Sequence, residues 1–498
     1  MKNQKTNEAL IAAFKFLPLL VFALLVIVFK LDLLLAAPIA TFAAIIVYLL
    51  VNRGSKFEQA FDHGLEAARK IALVFFILMF AYGVAECFMA TGVGASLILI
   101  ALRLGVTART IAPISILVTC ILSVATGSSW GTFAACAPIF LWLNYLVGGD
   151  VMLTVCAIAG GSCFGDNIGM ISDVTVLSCG LQDVKIIDRI KHQLVWSLGC
   201  LAIALVIFFL AGSHLPNEQG DVQEAISRIP PEAYEALIAE DRESAVQLLR
   251  QVESGVPYYL VIPMLLIIVT SFLGVHTLLC LGAGMLSSLL LGELAGTVNL
   301  HDWLKLLKAG FADAGNWVIV MMMWVAAFGG IMNAMDAFAP LSKLVVRISR
   351  SVHGLMGWCG VLCLLGNAAL ADEAAQVATM SPIVRGIVEN NVQTDSEEDA
   401  YALRLRLATF TSSMGIYGSE LVPWHCFPMF FASIATAVYP ILDGGFTSID
   451  IIRHNYLGFL FVGSILLLTF TGWDRFIPGL ALPKSARLKP KNTAKAAE

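Results

Sequence analysis

Residues 160–178 read GGSCFGDNIGMISDVTVLS, a polar stretch that lies between two apolar ones. It contains two carboxylates, Asp166 and Asp173, seven positions apart. A charged side chain at bilayer depth costs about 2.5–3.5 kcal/mol on insertion scales, so an ionisable residue inside apolar sequence indicates a functional site. The structural alternative is an aqueous loop in which Ser172 or Asp173 begins a helix. The apolar flanks favour a site inside a membrane.

The composition of the whole chain supports that interpretation. Hydrophobic residues make up 58% of the 498 positions and charged residues only 13%, whereas soluble domains carry about 25% charged residues. Apolar runs of roughly 20 residues, the length that crosses a bilayer, recur from end to end. Because backbone polar groups must be satisfied inside lipid, we expect an all-α polytopic membrane protein with about ten to thirteen transmembrane segments.

An internal duplication is indicated by a shift of 246 residues. The shift places Gly64 on Gly310 and Gly83 on Gly329, and each half later meets two polar interruptions. This order of features predicts two inverted repeats with broken or re-entrant helices. We expect five regions: N-terminal membrane helices (1–55), a first transport repeat (56–212), an acidic extramembrane loop (213–255), a second transport repeat (256–474) and a basic tail (475–498).

Charged residues suggest which side of the membrane each loop faces. Basic residues mark cytoplasmic segments, and they cluster between Lys2 and Lys70 and in the tail from Arg475 onwards. Arg103 and Arg109, and likewise Lys185, Arg189 and Lys191, also favour the cytoplasm, which leaves the topology between residues 91 and 192 open. We therefore expect a multi-pass protein of a bacterial inner membrane with a cytoplasmic C-terminus. The acid-rich loop 213–255 is expected on the outer side, with two short amphipathic helices.

The 160–178 stretch has the chemistry of a cation and proton site. Glycines at 160, 161, 165 and 169 disfavour a continuous helix, because each costs roughly 1 kcal/mol relative to alanine. An unwound segment exposes carbonyl oxygens, which together with carboxylates and hydroxyls form the oxygen ligands that hard cations prefer. We expect Na⁺ at Asp166 and Asp173, which also carry protons, and neutral oxygens from Asn167, Ser172 and Thr175.

The other polar interruptions supply further candidates. TGSSWGT (126–132) contributes Ser128, Ser129 and Thr132, and it also fits the G-x-S-x-G pattern of a serine hydrolase with Ser129 as nucleophile. That pattern needs a strand before the serine, but both flanks are apolar helix. Two interruptions in the second half contribute Asp372 and Glu373, and then Glu420, Trp424 and His425, with surface capping and interfacial anchoring as the alternatives.

Motifs for bound cofactors are not recognisable in the sequence. The eleven cysteines form no C-x-x-C pair, no histidine spacing completes a zinc site, and no Walker-type phosphate loop occurs. We expect no cofactor other than transported Na⁺ and H⁺, and no nucleic-acid partner.

The motifs resemble those of the NhaC family of Na⁺/H⁺ antiporters. The resemblance rests on Gly165-Asp166 followed by Ile171-Ser-Asp-Val-Thr175, on Ser129-Trp-Gly-Thr132 and on Leu421-Val-Pro-Trp424. It covers roughly residues 60–440 and implies membership of a superfamily with inverted repeats and broken helices. Gly169-Met170 stands where many relatives have Ser-Pro, which leaves the substrate open.

These observations lead to three hypotheses. The first is a secondary Na⁺/H⁺ antiporter that works by alternating access and is not an enzyme. The second is a Na⁺- or H⁺-coupled carrier of a small organic acid or amino acid, in which helix N-termini hold the carboxylate. The third is an intramembrane serine hydrolase that uses Ser129. Beyond the ions and the lipid bilayer, the candidate partner is a second copy of the chain in a homodimer.

Overall fold

The computed structural model describes residues 14–29, 31–52, 54–70, 72–126, 129–169, 172–217, 243–273, 275–335 and 339–489. The described chain is almost entirely helical, as expected for backbone in lipid. Its α-helices are α1 (Leu17–Ala23), α2 (Leu33–Val51), α3 (Phe57–Lys70), α4 (Ala72–Ala90), α5 (Val93–Arg103), α6 (Ile111–Thr126), α7 (Ser129–Val147), α8 (Val151–Ile168), α9 (Asp173–Gln182), α10 (Ile186–Ala211), α11 (Glu243–Ser254), α12 (Ile262–Phe272), α13 (Thr277–Ala295), α14 (Leu300–Asp313), α15 (Ile319–Ala334), α16 (Ala339–Ile348), α17 (Val352–Leu370), α18 (Glu373–Asn391), α19 (Glu397–Ile416), α20 (Cys426–Val438), α21 (Ser448–Arg453) and α22 (Tyr456–Thr471).

Helices that can cross a membrane by length and composition are found along the whole described chain. Seven qualify singly, and the number rises to nine if each of two bent helix pairs is one span. The pairs are α4 with α5, bent by 64°, and α19 with α20, bent by 48°. Four shorter apolar helices lie among them, and the expected ten to thirteen segments require some of these to cross as well. The chain is an all-α polytopic membrane protein.

The order of helices repeats along the chain. The series from α3 to α9 is matched in order, and closely in length, by the series from α14 to α20. Contacts between the two series are reciprocal: α3 packs on α15, and α14 packs on α4. Reciprocal contact is what a two-fold relation between similar units produces. This packing is what the expected duplication would produce, and both the duplication and the inverted orientation of the halves in the bilayer stay predictions.

Glycines let the two series approach each other closely. A Cβ added at Gly64 would lie 3.0 Å from the Cβ of Ala327. Its counterpart Gly310 faces the first series in the same way, where a Cβ would lie 2.8 Å from the carbonyl oxygen of Tyr82. Small residues at such crossings are typical of membrane helix packing.

Helix α8 differs from the sequence-based expectation. It runs unbroken through Gly160, Gly161 and Gly165, and the chain leaves helical geometry only after Ile168. The glycines serve packing instead: a Cβ would lie 1.9 Å from the Thr119 hydroxyl at Gly161 and 1.9 Å from the Val124 nitrogen at Gly165. The expectation that they unwind the segment was wrong for residues 160–168, because close contact with α6 outweighs their low helix propensity.

The segments outside the repeats also pack on the membrane helices. Within the predicted acidic loop, residues 218–242 lie outside the described residues, and α11 packs against α4 and α5. Gln251 on α11 donates a hydrogen bond to the carbonyl of Ala90 at 2.7 Å. In the tail, β2 (Arg487–Leu488) pairs antiparallel with β1 (Val392–Gln393). The tail therefore lies on the same side as the turn between α18 and α19.

Candidate ion-binding site

Asp166 lies where the first two interruptions meet. It is close to the C-terminal end of α8 and only 5% exposed. Its Oδ2 accepts hydrogen bonds from the backbone N–H of Ser129 at 3.3 Å and from the Ser129 hydroxyl at 2.6 Å, while its Oδ1 accepts one from the Ser172 hydroxyl. Ser129 is the first residue of α7, so the carboxylate also faces the positive end of that helix. Asp166 is therefore a buried carboxylate that accepts hydrogen bonds from two hydroxyls.

A polar network continues from Asp166 to a buried arginine. Arg189 is fully buried and donates to Thr175 Oγ1 at 2.9 Å, to Asn167 Oδ1 at 3.2 Å and to Gln193 Oε1 at 3.3 Å. Thr175 in turn donates to the carbonyl oxygen of Asp166 at 3.1 Å. In the described part of the chain these acceptors of Arg189 are all neutral. The expectation that Arg189 belongs to a cytoplasmic charge cluster was wrong, since it lies inside the protein beside the candidate site.

The second half places Asp372 and Glu373 in a comparable position. Asp372 caps α18 by accepting a hydrogen bond from the N–H of Ala375 at 2.7 Å, yet it is only 5% exposed. Asp372 therefore caps its helix inside the protein, and the alternative that it caps a helix at the surface is wrong. Glu373 is buried as well, lies 3.5 Å from the sulfur of Cys426 and is within electrostatic range of Asp166. The carboxylates of the two halves thus face a common region.

A second polar network surrounds His425. The ring Nδ1 accepts the N–H of Phe427 at 3.3 Å, so the proton sits on Nε2, which lies 3.0 Å from Asn367 Oδ1. The amide nitrogen of Asn367 donates to the Met414 carbonyl at 2.7 Å and to the Ser419 hydroxyl at 3.0 Å. These contacts join the third interruption, after α17, to the fourth, between α19 and α20.

Glu420 lies in the fourth interruption, inside the protein. Its side chain is fully buried, and neither of its oxygens has a hydrogen-bond partner among the described residues. Cys163 on α8 and Asn455 before α22 are the polar groups beside it. A charge held in such surroundings is expensive unless it is paired or hydrogen-bonded.

Contacts between the halves bring the four interruptions together. Asn167 Oδ1 accepts a hydrogen bond from the Ser413 hydroxyl at 3.1 Å. The Trp130 ring packs edge-on against the Phe427 ring, with centroids 4.8 Å apart. Thr132 is buried one turn after Ser129. The described residues around Asp166, Asn167 and Ser413 therefore lie in one buried region, where the broken helices of both halves meet.

Three candidates do not contribute described contacts to this region: Trp424 contacts α17, and two others lie outside the described residues. Trp424 donates its indole N–H to the Ala368 carbonyl at 2.7 Å, which fixes the fourth interruption on α17. Helix α9 begins at Asp173, but the Asp173 side chain lies outside the described residues, as does Ser128. The placement of Na⁺ between Asp166 and Asp173 stays a prediction.

Sequence reasoning missed four polar residues of this region: Arg189, Asn367, Ser413 and Ser419. Arg189 and Gln193 stand four positions apart at the start of an apolar span, a spacing that puts both on one helix face. That spacing could have revealed them. Asn367 lies in an alanine-rich run and carries no comparable signal.

The hydrolase alternative lacks the geometry of an activated serine. The Ser129 hydroxyl donates directly to a carboxylate, and no histidine contacts it among the described residues. His425, the histidine of the fourth interruption, is engaged with Asn367 and Ser419. A nucleophilic serine needs an adjacent general base that is itself oriented by a third group.

Comparisons with known proteins agree with a transport role. A sequence model of the Na⁺/H⁺ antiporter family matches residues 8–178 and 161–473. The arginine/ornithine antiporter of Halobacterium salinarum is 24% identical over 73% of this chain and 72% of its own. The Na⁺/H⁺ antiporter NhaC of Alkalihalophilus pseudofirmus is 21% identical over 64% and 67%, and the malate-2H⁺/Na⁺-lactate antiporter of Bacillus subtilis is 23% identical over 72% and 72%. With its helical repeats, its buried carboxylates and a family match over most of its length, the chain belongs to the Na⁺/H⁺ antiporter family and is a secondary antiporter rather than an enzyme.

Proposed function

We propose that this protein exchanges Na⁺ for H⁺ across the inner membrane of a bacterium. The observation that supports this most strongly is the buried Asp166 carboxylate, which is framed by the hydroxyls of Ser129 and Ser172 where two broken helices meet. Hydroxyl, carboxylate and carbonyl oxygens suit a hard cation. A test is purified protein in liposomes with an internal pH dye: Na⁺ should move protons and K⁺ should not.

Asp166 is the proposed Na⁺ ligand. The two hydroxyls donate to it, and rotation of each O–H would turn an oxygen lone pair towards a bound ion. Carbonyl oxygens released where α8 ends after Ile168 complete the ligand set, together with Asp173. A carboxylate that binds a proton loses the charge that attracts Na⁺, so the two ions compete for it.

Glu420 is the proposed second proton carrier. It is fully buried and has no hydrogen-bond partner among the described residues, which favours the protonated form. Cys163 lies beside Glu420 and belongs to the same helix as Asp166. Movement of that helix would therefore affect both carboxyls, which offers a physical link between Na⁺ release and proton binding.

Alternating access follows from the repeat architecture. The reciprocal packing of α3 on α15 and of α14 on α4 supports two similar halves that rock against each other. Inverted halves would offer the site to either side in two equivalent states. Asp372 and Glu373 would line the path from the second half, where Glu373 is within electrostatic range of Asp166.

A second candidate function is supported by Arg189. The Nε of this buried guanidinium and the Nδ2 of Asn167 have no hydrogen-bond partner among the described residues. A substrate carboxylate would satisfy both donors and balance a buried charge. Two relatives are named for arginine and ornithine and for malate and lactate. A small organic acid or amino acid, coupled to Na⁺ or H⁺, is therefore the alternative cargo, and the liposome test includes a panel of such acids.

The tail supports the proposed orientation. β2 pairs with β1, and a Cβ at Gly479 would lie 3.2 Å from the carbonyl oxygen of Lys191. The basic residues Lys191, Lys484 and Arg487 therefore share one face, which the positive-inside rule places in the cytoplasm. A homodimer is the proposed assembly, and cross-linking in native membranes measures it.

A further inference from the structure

Three side chains with metal-binding atoms converge in the second half, at a place where the sequence shows no metal motif. Glu373 begins α18, His425 caps α20 and Cys426 is the first residue of α20. One ligand atom from each lies within 4.8 Å of the other two. All three residues are buried, with exposures of 6%, 0% and 2%. We propose that Glu373, His425 and Cys426 form a binding site for a soft divalent metal ion, and that Zn²⁺ is the ion that binds there.

The distances within the cluster suit a tetrahedral ion. The sulfur of Cys426 lies 3.4 Å from His425 Nδ1 and 3.5 Å from Glu373 Oε2. Zinc bonds of about 2.3 Å to sulfur and about 2.0–2.2 Å to nitrogen or oxygen, held at tetrahedral angles, separate neighbouring ligand atoms by about 3.5 Å. Two of the three ligand separations thus already match a bound ion.

The histidine has the tautomer and the outer contact that a metal ligand requires. Its Nδ1 carries no proton, because it accepts the N–H of Phe427 at 3.3 Å, and this long hydrogen bond is the one that a metal would replace. Its Nε2 lies 3.0 Å from Asn367 Oδ1. Metal-bound histidines almost always donate their second ring N–H to such an acceptor, which orients the ring.

The donor set decides which ions bind. A thiolate, an imidazole and a carboxylate prefer Zn²⁺ or Cd²⁺ to Na⁺, Mg²⁺ or Ca²⁺, which favour oxygen alone. Binding releases the thiol proton of Cys426, since only the thiolate is a ligand. Three protein ligands leave the fourth position of the ion open.

The consequence is a cross-link between two helices of the second half. Glu373 follows the third interruption, and His425 and Cys426 follow the fourth. A bound ion would hold α18 and α20 together and would engage a carboxylate of the proposed ion path. We therefore expect Zn²⁺ to inhibit exchange, although metal binding itself requires no assumption about the transported ion.

The test is direct metal binding to the purified full-length protein. We expect one Cd²⁺ per chain, with a thiolate-to-metal absorption band, and one Zn²⁺ by calorimetry that competes with Cd²⁺. Cys426→Ser should abolish the band and weaken Zn²⁺ binding by more than about 100-fold, because loss of an outer partner alone costs about 10–100-fold. Asn367→Ala removes only the outer partner of His425 and should weaken Zn²⁺ binding by about 10–100-fold.

The matched control is Cys359→Ser, which alters another buried cysteine, on α17, and should leave the Cd²⁺ band unchanged. Size-exclusion elution and melting temperature establish that each variant is folded. If wild-type protein shows no Cd²⁺ band, or if Cys426→Ser binds Zn²⁺ as tightly as wild type, the proposal is wrong. A folded Cys426→Ser variant that exchanges ions normally but resists Zn²⁺ supports it.

Discussion

The Ser129 hydroxyl donates a hydrogen bond of 2.6 Å to Asp166, across 37 positions of chain. This contact joins the start of α7 to the end of α8. The first two interruptions therefore meet at Asp166. A serine hydroxyl that donates to a carboxylate suits the proposed ion site better than it suits a nucleophile, which needs an adjacent base oriented by a third group.

Replacement of Ser129 by alanine should weaken Na⁺ binding. A hydrogen bond to a charged group is worth about 1.5–3 kcal/mol, so the Na⁺ concentration for half-maximal exchange should rise by roughly 10-fold or more. Ser129→Thr retains the hydroxyl and should stay near wild type. Dye-loaded liposomes measure both variants across a Na⁺ series, and an unchanged half-maximal concentration in Ser129→Ala would argue against a ligand role.

The sequence predicts the membrane class, the repeated halves and the positions of the four interruptions, because these depend on local hydropathy. It misjudges Gly161 and Gly165, since only the packing shows that α6 approaches them to contact distance. It also misplaces Arg189, because a basic residue near a span is normally cytoplasmic. The partners that stabilise its burial, Thr175 and Asn167, come from other segments, and such convergence is a property of the tertiary structure.

Substitution of Gly165 by alanine should destabilise the protein. The new Cβ would lie 1.9 Å from the backbone nitrogen of Val124, and backbone cannot move aside as a flexible side chain can. Overpacking typically costs about 1–3 kcal/mol, and we expect the upper end of that range here. Gly199→Ala is the control, because nothing lies within 4 Å of a Cβ there. The melting temperature of Gly199→Ala should equal or exceed that of the wild type. If both variants lost the same number of degrees, the packing argument would be contradicted.

Glu420→Gln should separate Na⁺ movement from proton movement. The change preserves size but removes the titratable group of the proposed second proton carrier. We expect Na⁺-driven pH change to be lost while exchange of radioactive Na⁺ for unlabelled Na⁺ continues. Glu389→Gln, which alters a half-exposed carboxylate paired with Arg385 at 2.7 Å, should behave as wild type. Normal proton coupling in Glu420→Gln would assign the second proton to another group.

Arg189→Gln should impair exchange without unfolding the protein. The variant removes a charge whose hydrogen bonds hold Thr175 and Asn167 beside Asp166, and loss of a charged donor is worth about 1.5–3 kcal/mol. Exchange rates should fall by roughly 10-fold or more. Arg103→Gln, at an exposed arginine over the Tyr258 ring, is the control and should have little effect. If an organic acid accelerates exchange in wild type, that acceleration should vanish in Arg189→Gln; its persistence would exclude Arg189 as the carboxylate ligand.

The most direct measurement compares Asp166→Asn with Asp150→Asn in liposomes that contain a pH dye. Asp150 caps the opposite end of the same helix, and asparagine caps equally well, so the control should keep wild-type exchange. Asp166→Asn retains size and hydrogen bonding but removes the charge and the titratable group. The account predicts a folded protein in which a Na⁺ pulse produces no pH change. Exchange of Na⁺ for H⁺ at near wild-type rate in Asp166→Asn would contradict it.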